Sequence, residues 1–403
     1  MLNFELTEEQ KTVVETVRAF AARELAPQIA ELDREKHYDP MTFVKFRELG
    51  LTGISVPEEY GGAGMDYLTL GLVCEELEYV DTSFRTILSI HLGLCGSGIY
   101  QWGTEAQKRR FLTPLARGEK LGAFGLTEPG AGSDVAGITT RAKRSGSDYL
   151  LSGQKMWISG AQQAGTFLIF AYTEPEKKHD GISAFIVDRG EAGQAFSTFT
   201  IHDKAGIWAG NVGGINLDDV RVPRENLLGE EGEGFKIAMG CLDNGRYTVA
   251  AGATGLIRAC LDASVQYAKE RLAFGKPIAE FQLVQDMIAQ MVASYDAARL
   301  LYLKAGWLKN QGIRSSRESS LAKWFATTSA DTAANHAVEI FGAYGYSDEY
   351  PVARFLRNAK GPVIYEGTRQ VHKLIQAQYA LGLRKDKPLR CPLPSYRPRV
   401  PVS

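Results

Sequence analysis

Two short stretches hold the residue types best suited to chemistry: Ile364–Gln370, reading I-Y-E-G-T-R-Q, and Gly125–Asp134, reading G-L-T-E-P-G-A-G-S-D. In the first, Glu366 stands between Tyr365 and Gly367, with a bulky wall on one side and free backbone approach on the other. A carboxylate so placed is a candidate base, provided that a water-excluding apolar site raises its pKa. In the second, Thr127–Asp134 packs two glycines, a proline, Ser133 and Asp134 into a sharp turn. Such turns expose backbone N–H groups in a concave array that holds phosphates or polar cofactor edges. Two further motifs accompany them. W-I-S at Trp157–Ser159 offers a hydroxyl donor at Ser159, and R-x-x-F-G at Arg271–Gly275 offers a guanidinium. A guanidinium suits a phosphate because its fork donates two parallel hydrogen bonds. There is no G-x-G-x-x-G and no Walker motif, which argues against NAD and fits a cofactor held without a Rossmann fold.

The elements that must position these residues fall into three textures. Thr7 opens a helix with a capping box closed by Gln10, and Val13, Val14, Val17, Phe20 and Ala21 share its apolar face. Met41–Leu51, Leu68–Val80, Ile87–Trp102 and Glu105–Arg117 read as further helices, so residues 1–120 form an all-helical domain. From Leu121 the pattern turns β-rich, at Tyr149–Ile158, Phe167–Tyr172, Ile182–Val187 and Ile215–Val222, separated by turn residues. This predicts an antiparallel β domain over 121–232. Helical periodicity returns at Phe235–Glu270, Phe281–Asn310, Ser316–Phe341 and Thr368–Ala380, predicting a four-helix bundle over 233–385. Five prolines within Lys387–Ser403 predict an extended tail over 386–403.

Bulk properties exclude several classes. The 403 residues carry a net charge of −1, with 44% hydrophobic and 23% charged residues, an ordinary globular composition that advertises neither nucleic acid nor membrane surface. The five cysteines (Cys74, Cys95, Cys241, Cys260, Cys391) lack any C-x-x-C pair, which fits buried thiols in a reducing compartment. No signal peptide or apolar run of about 18 residues is present, so the expectation is a cytoplasmic protein. The six histidines show no metal spacing, and no Ser/His/Asp set is evident.

Taken together, in this order and spacing, the four motifs resemble the acyl-CoA dehydrogenase family, from about Thr7 to about Gly382. The resemblance implies an α+β fold: an N-terminal helical domain, a middle antiparallel β-barrel and a C-terminal four-helix bundle. It implies FAD as cofactor, an electron-transferring flavoprotein as electron acceptor, and a homotetramer. By residue, Phe124, Leu126 and Thr127 would sit against the isoalloxazine, with Gly132, Trp157, Ile158 and Ser159 beside it. Ser133 would touch both flavin and the CoA arm. Arg271, Phe274 and Gln282 would reach the FAD of a neighbouring subunit and grip its pyrophosphate. Glu339, Gly342, Thr368 and Gln370 complete the implied cofactor set. Asp243 and Arg246 match positions that contact the CoA arm and substrate, and Tyr365 and Gly367 flank the implied base, Glu366. That base would take a thioester α-proton while the β-hydrogen leaves as hydride to flavin N5, giving a trans-2-enoyl-CoA.

Arg85, in D-T-S-F-R-T, resembles the arginine by which glutaryl-CoA dehydrogenases bind the distal carboxylate of the substrate. With Thr86 beside it and Glu78 seven residues back on one helical face, it points to a short acyl chain ending in a carboxylate, glutaryl- or benzylsuccinyl-CoA-like. An Arg85 that merely pairs with Glu78 or Asp81 is the competing reading. The alternatives are a short- or branched-chain monocarboxylic acyl-CoA dehydrogenase, a flavin oxidase or monooxygenase on the same scaffold, and a CoA-ester-binding protein that holds FAD structurally. Two departures stand out. Glu339 occupies a position where many relatives have Gln, and Ala343 replaces a second glycine. An acidic side chain beside a pyrophosphate is repulsive, so either Glu339 turns away or the local contact differs. His91 either lines the acyl pocket or packs.

Overall fold

The computed structural model describes residues 5–386. The extended tail expected over Lys387–Ser403, and Cys391 within it, lie outside the described residues. Helix α1 (Glu8–Phe20) begins with the predicted capping box, Thr7 and Gln10 exchanging bonds of 3.2 and 3.1 Å. Helix α2 (Tyr67–Val80) is capped by Asp66 and buried on nearly all sides. Asp81 then breaks the helical path with φ −164° and caps α3 (Thr82–Leu88) by accepting from the Ser83 N–H. Glu78 and Arg85 therefore do not share one helical face as the spacing suggested; they stand on two helices joined at Asp81. The single helix expected over Ile87–Trp102 is interrupted by a π-helical stretch, Ser89–Gly96. There Gly93 seats against the helix that carries Gly245 and Thr248, where a Cβ would come 3.2 Å from the Thr248 hydroxyl oxygen.

The middle of the chain forms one sheet of β1 (Gly122–Gly125), β2 (Arg141–Ser145), β3 (Asp148–Ser159), β4 (Thr166–Tyr172), β5 (Ile182–Asp188), β6 (Phe196–Thr200), β7 (Val212–Val222) and β8 (Leu227–Leu228). Its order is β6-β7-β3-β2-β4-β5-β8, with β1 paired to β4. The expected closed antiparallel barrel is not what forms. The sheet is open, with β6 and the two-residue β8 at its ends, and it is mixed, because β1 and β2 run parallel to β4. The chain between β1 and β4 is long enough to return in the same direction, which parallel pairing requires. β1 and β2 carried too little β pattern to be read as strands. β4 and β5 are buried at every residue and form the best-covered part of this layer.

His91 ties the helices to the sheet. Its Nδ1 accepts from the Gly122 N–H at 3.0 Å, so the proton is on Nε2, which faces the carbonyls of Thr52 and Leu115 at 3.1 Å. Burial lowers its pKa to about 4 and keeps it neutral. Of its two readings, packing is the one the geometry supports.

Three long helices follow, close to the predicted spans: α4 (Gly234–Glu270), α5 (Gln282–Asn310) and α6 (Ser316–Phe341). The bundle lacks a fourth long member. The shorter α7 (Val352–Ala359) and α8 (Arg369–Ala380) pack on α6, and α2 packs on α4. No helix among the described residues is long and apolar enough to cross a membrane. Cys74, Cys95, Cys241 and Cys260 are free and buried.

Candidate active site

The site is built around the turn between α7 and α8. Glu366 has φ +56°, a left-handed conformation uncommon for a residue with a Cβ, and Gly367 follows at φ +102°. The next residue, Thr368, caps α8 by accepting from the Val371 N–H at 3.3 Å. Three consecutive carbonyls of this turn are held by cations. Lys323 of α6 donates to the carbonyls of Tyr365 (2.8 Å) and Gly367 (2.6 Å), and Arg246 of α4 donates to that of Glu366 (3.1 Å). Arg246 is itself buried and paired with Asp243 at 3.1 Å, and Asp243 also accepts from Ser316. This is an interior network and not the surface ion pair that i,i+3 spacing alone suggests.

The turn aims the Glu366 side chain inward. Its Oε2 is fully buried and has no hydrogen-bond partner among the described residues. It lies against the backbone of α4: a Cβ added at Gly245 would come 2.2 Å from it. Burial raises the Glu366 pKa to about 7, against the opposing pull of Arg85, Lys323 and Arg246.

One step further in, Tyr365 meets Arg85. The Arg85 Nη2 donates to the Tyr365 hydroxyl at 2.6 Å, Nε donates to Glu78, and Nη1 donates to Ser89 at 3.3 Å. Ser89 in turn donates to Thr248 at 2.7 Å. Arg85 and Glu78 are both buried, and Gly252 makes room for the pair, since a Cβ there would stand 2.0 Å from Glu78 Oε2. The pairing with Glu78 is thus real, while Asp81 turns instead to Arg354. Three of Arg85's five N–H groups have acceptors among the described residues, which leaves two for a ligand.

A second cluster stands at the sheet. Phe124 ends against Phe170, with ring centroids 5.0 Å apart, and Leu126 is buried beside it. The Met156 N–H donates to the Thr127 carbonyl at 2.9 Å, which joins the glycine-rich turn to Trp157, Ile158 and Ser159. Gly132 and Ser133 are exposed, and a Cβ at Gly132 would meet nothing within 4 Å. Ile158 is core, but Trp157 is 57% exposed at φ +62°. Ser159 and Thr86 line one small cavity together with Tyr38, Ile87, Leu121 and Asn211, so this cluster adjoins the Arg85 helix.

What anchors the glycine-rich turn was not read from the sequence. Glu128 accepts from the N–H and hydroxyl groups of Thr139 and Thr140 and from the buried Lys155 at 2.8 Å. Burial pushes its carboxyl up, but the Lys155 charge and the threonine donors outweigh burial and hold it below the usual carboxylate range.

The third cluster lies on the surface. Arg271 and Phe274 stand in the β-hairpin between α4 and α5, and Gln282 begins α5; all three are exposed, Phe274 at 95% with φ +52°. Arg271 lies over the Tyr344 ring at 5.8 Å, which sets this hairpin beside the Gly342 end of α6. Glu339 points outward there, 3.9 Å from His336. Gln370 is also exposed. Among the described residues no group of His, Cys, Asp and Glu has metal-binding geometry.

The sheet cluster fits a flavin. A large aromatic left in solvent at positive φ, a turn opening onto free space and a hydroxyl on the adjoining strand make a flat apolar wall with polar donors at its edge. The comparisons agree with this geometry. Family models for the N-terminal, middle and C-terminal domains of acyl-CoA dehydrogenase match residues 7–119, 123–220 and 232–381. The chain is 42% identical to the short-chain specific acyl-CoA dehydrogenase of Megasphaera elsdenii, over 93% of this chain and 98% of the relative. It is 41% identical to the glutaryl-CoA dehydrogenase of Desulfococcus multivorans, over 95% and 99%. The solved butyryl-CoA dehydrogenase of Megasphaera elsdenii superposes with a TM-score of 0.92 at 41% identity, over 94% of this chain and all of the other. The chain belongs to the acyl-CoA dehydrogenase family and is an FAD-dependent oxidoreductase acting on acyl-CoA.

Proposed function

We propose that the enzyme dehydrogenates a short acyl-CoA, with Glu366 as the base that removes the α-proton of the thioester. One observation carries this reading: a buried carboxylate oxygen without a partner, in a turn locked by two cations. Leaving such an atom unsatisfied costs on the order of 1–3 kcal/mol, and a reacting C–H placed beside it gives the atom its use. A pKa near 7 suits a base that works at neutral pH. FAD, when bound, would supply the acceptor for the β-hydrogen as hydride, and the product would be a trans-2-enoyl-CoA. Phe124, Leu126, Thr127, Trp157 and Ser159 would hold the flavin ring, Ser133 and Asp243 the CoA arm. Arg271, Phe274, Gln282, Glu339 and Gly342 would face the cofactor of a neighbouring copy in a homotetramer. An electron-transferring flavoprotein would reoxidise the enzyme.

For the substrate we favour a chain ending in a carboxylate, read by the two remaining N–H groups of Arg85. The second reading, a plain short chain, has its own support, because Glu78 already neutralises Arg85. Anaerobic bleaching of the yellow flavin by butyryl-, isobutyryl-, glutaryl- and benzylsuccinyl-CoA separates the two. Fastest bleaching by a dicarboxylic thioester is the expected result; fastest bleaching by butyryl-CoA overturns it. No bleaching by any of the four overturns the short-chain reading.

Gly245 provides a separate check. Gly245→Ala places a methyl in the space of the Glu366 carboxyl, and a displacement of about 1 Å at a reacting group costs on the order of 10²-fold in rate. Stopped-flow flavin reduction is expected to slow by that factor while the bound-flavin spectrum stays as in the wild type.

A further inference from the structure

Lys323 is a fully buried lysine on α6. Among the described residues no carboxylate lies within ion-pair distance of its ammonium. A buried cation is ordinarily matched by an anion, because desolvating it alone is costly. Here the ammonium is met by two carbonyls, those of Tyr365 and Gly367, the residues on either side of Glu366. The arrangement makes the Glu366 peptide the bridge between two points fixed by one charge. It also explains how a left-handed non-glycine residue is held in place, since such a conformation persists only where the surroundings over-determine it.

We propose that Lys323 is a positioning residue for Glu366: it clamps the turn that presents the carboxyl and holds a positive charge beside the base. The proposal rests on the reading of Glu366 as the base. The other charged or titratable groups around Lys323 are Arg246 on α4, Arg85 on α3, and Arg369 and His372 at the start of α8. His372 is buried, its Nδ1 meets Ser320 at 2.8 Å, and burial together with Lys323 and Arg246 keeps it neutral. Arg85 and Arg246 are spoken for by Glu78 and Asp243, whereas Lys323 has no carboxylate of its own. Burial lowers the Lys323 pKa to about 7, with Glu366 pulling the other way and the arginines adding to the fall. Lysine and glutamate therefore answer to each other across neutral pH.

The test uses the FAD-loaded enzyme and three variants. Lys323→Met removes the charge. Lys323→Arg keeps it, in a group that does not titrate near neutrality. Glu366→Gln reports on the underlying reading. The protonated-carboxyl stretch of Glu366, taken from the wild type minus Glu366→Gln infrared difference, is titrated without acyl-CoA. Flavin reduction by butyryl-CoA and by glutaryl-CoA is followed over the same pH range. Loss of an opposite charge near a carboxylate raises its pKa by about one unit or more. In Lys323→Met, both the infrared midpoint and the acid limb of the rate are expected to move up by about one pH unit. The rate deficit is then about tenfold larger below pH 6.5 than above pH 8.5. In Lys323→Arg both stay at or below the wild-type position. A deficit in Lys323→Met that is the same at every pH, with an unmoved infrared midpoint, overturns the proposal. So does an upward shift of about one pH unit in Lys323→Arg, an arm that stands even if the Met variant fails to fold. Normal flavin reduction by Glu366→Gln sinks the reading of the base instead, and is seen separately from either result.

Discussion

Glu366→Gln is expected to bind FAD and acyl-CoA as the wild type does and to reduce its flavin slower by on the order of 10⁴-fold, the upper range for loss of a positioned base. The amide is nearly isosteric, so the turn held by Lys323 and Arg246 stays in place and only the proton acceptor is lost. Anaerobic stopped-flow absorbance of the bound flavin measures this, and near-normal reduction would assign the proton to another group. The wild-type rate is expected to rise through pH about 7 and level off above it, because only the ionised carboxyl is a base. Stability changes in the opposite sense. A carboxyl whose folded pKa lies above its unfolded value near 4.5 favours the fold at acid pH, and that contribution is lost as pH rises through the folded pKa of about 7. The Gln variant, which has no such ionisation, is expected to melt higher than the wild type at pH 8 and not at pH 4.

Arg85→Met is the second large effect. It leaves Glu78 fully buried with no cation, and breaking a buried pair from one side costs about 3–5 kcal/mol. It also frees the Tyr365 hydroxyl, one residue from the base. Thermal unfolding is expected to show the loss, and Glu78→Gln/Arg85→Met to recover much of it, because the orphaned charge is gone. The double variant is also the right molecule for asking about substrate. A hydrogen bond to a charged group is worth about 1.5–3 kcal/mol, so turnover of glutaryl-CoA is expected to fall about 10- to 100-fold more than turnover of butyryl-CoA. Equal losses for the two thioesters would mean that Arg85 does not read the end of the chain.

The long helices were legible because their apolar repeats run for many turns. Phe235–Glu270, Phe281–Asn310 and Ser316–Phe341 fall within a residue of α4, α5 and α6. β1 and β2 were not legible: Gly122–Gly125 is short and glycine-bounded, and Arg141–Ser145 is mostly polar and exposed, so neither carries the alternation that marks a half-buried strand. Barrel closure was expected from the family resemblance; the strand pattern itself gave only an antiparallel β domain, and such a pattern does not fix which edges meet. At the site, a motif placed Glu366 at once, but nothing marked its supports. Lys323 sits in A-K-W-F-A on a helix where a lysine ordinarily faces water. The link between Glu78 and Arg85 was found by their spacing, yet the helix break at Asp81 makes the pair by a different route. Gly245 carried no signal within the Phe235–Glu270 pattern, and it is the floor under the carboxyl.

That last contact limits how such a catalyst can change over generations. The α4 backbone at residue 245 and the side chain at 366 claim the same few ångströms of space. A proton acceptor can be hosted from either wall of the chamber, but not from both at once. A lineage that moved it across would have to empty one wall before filling the other, and would pass through a protein that keeps its colour and its fold but has no turnover.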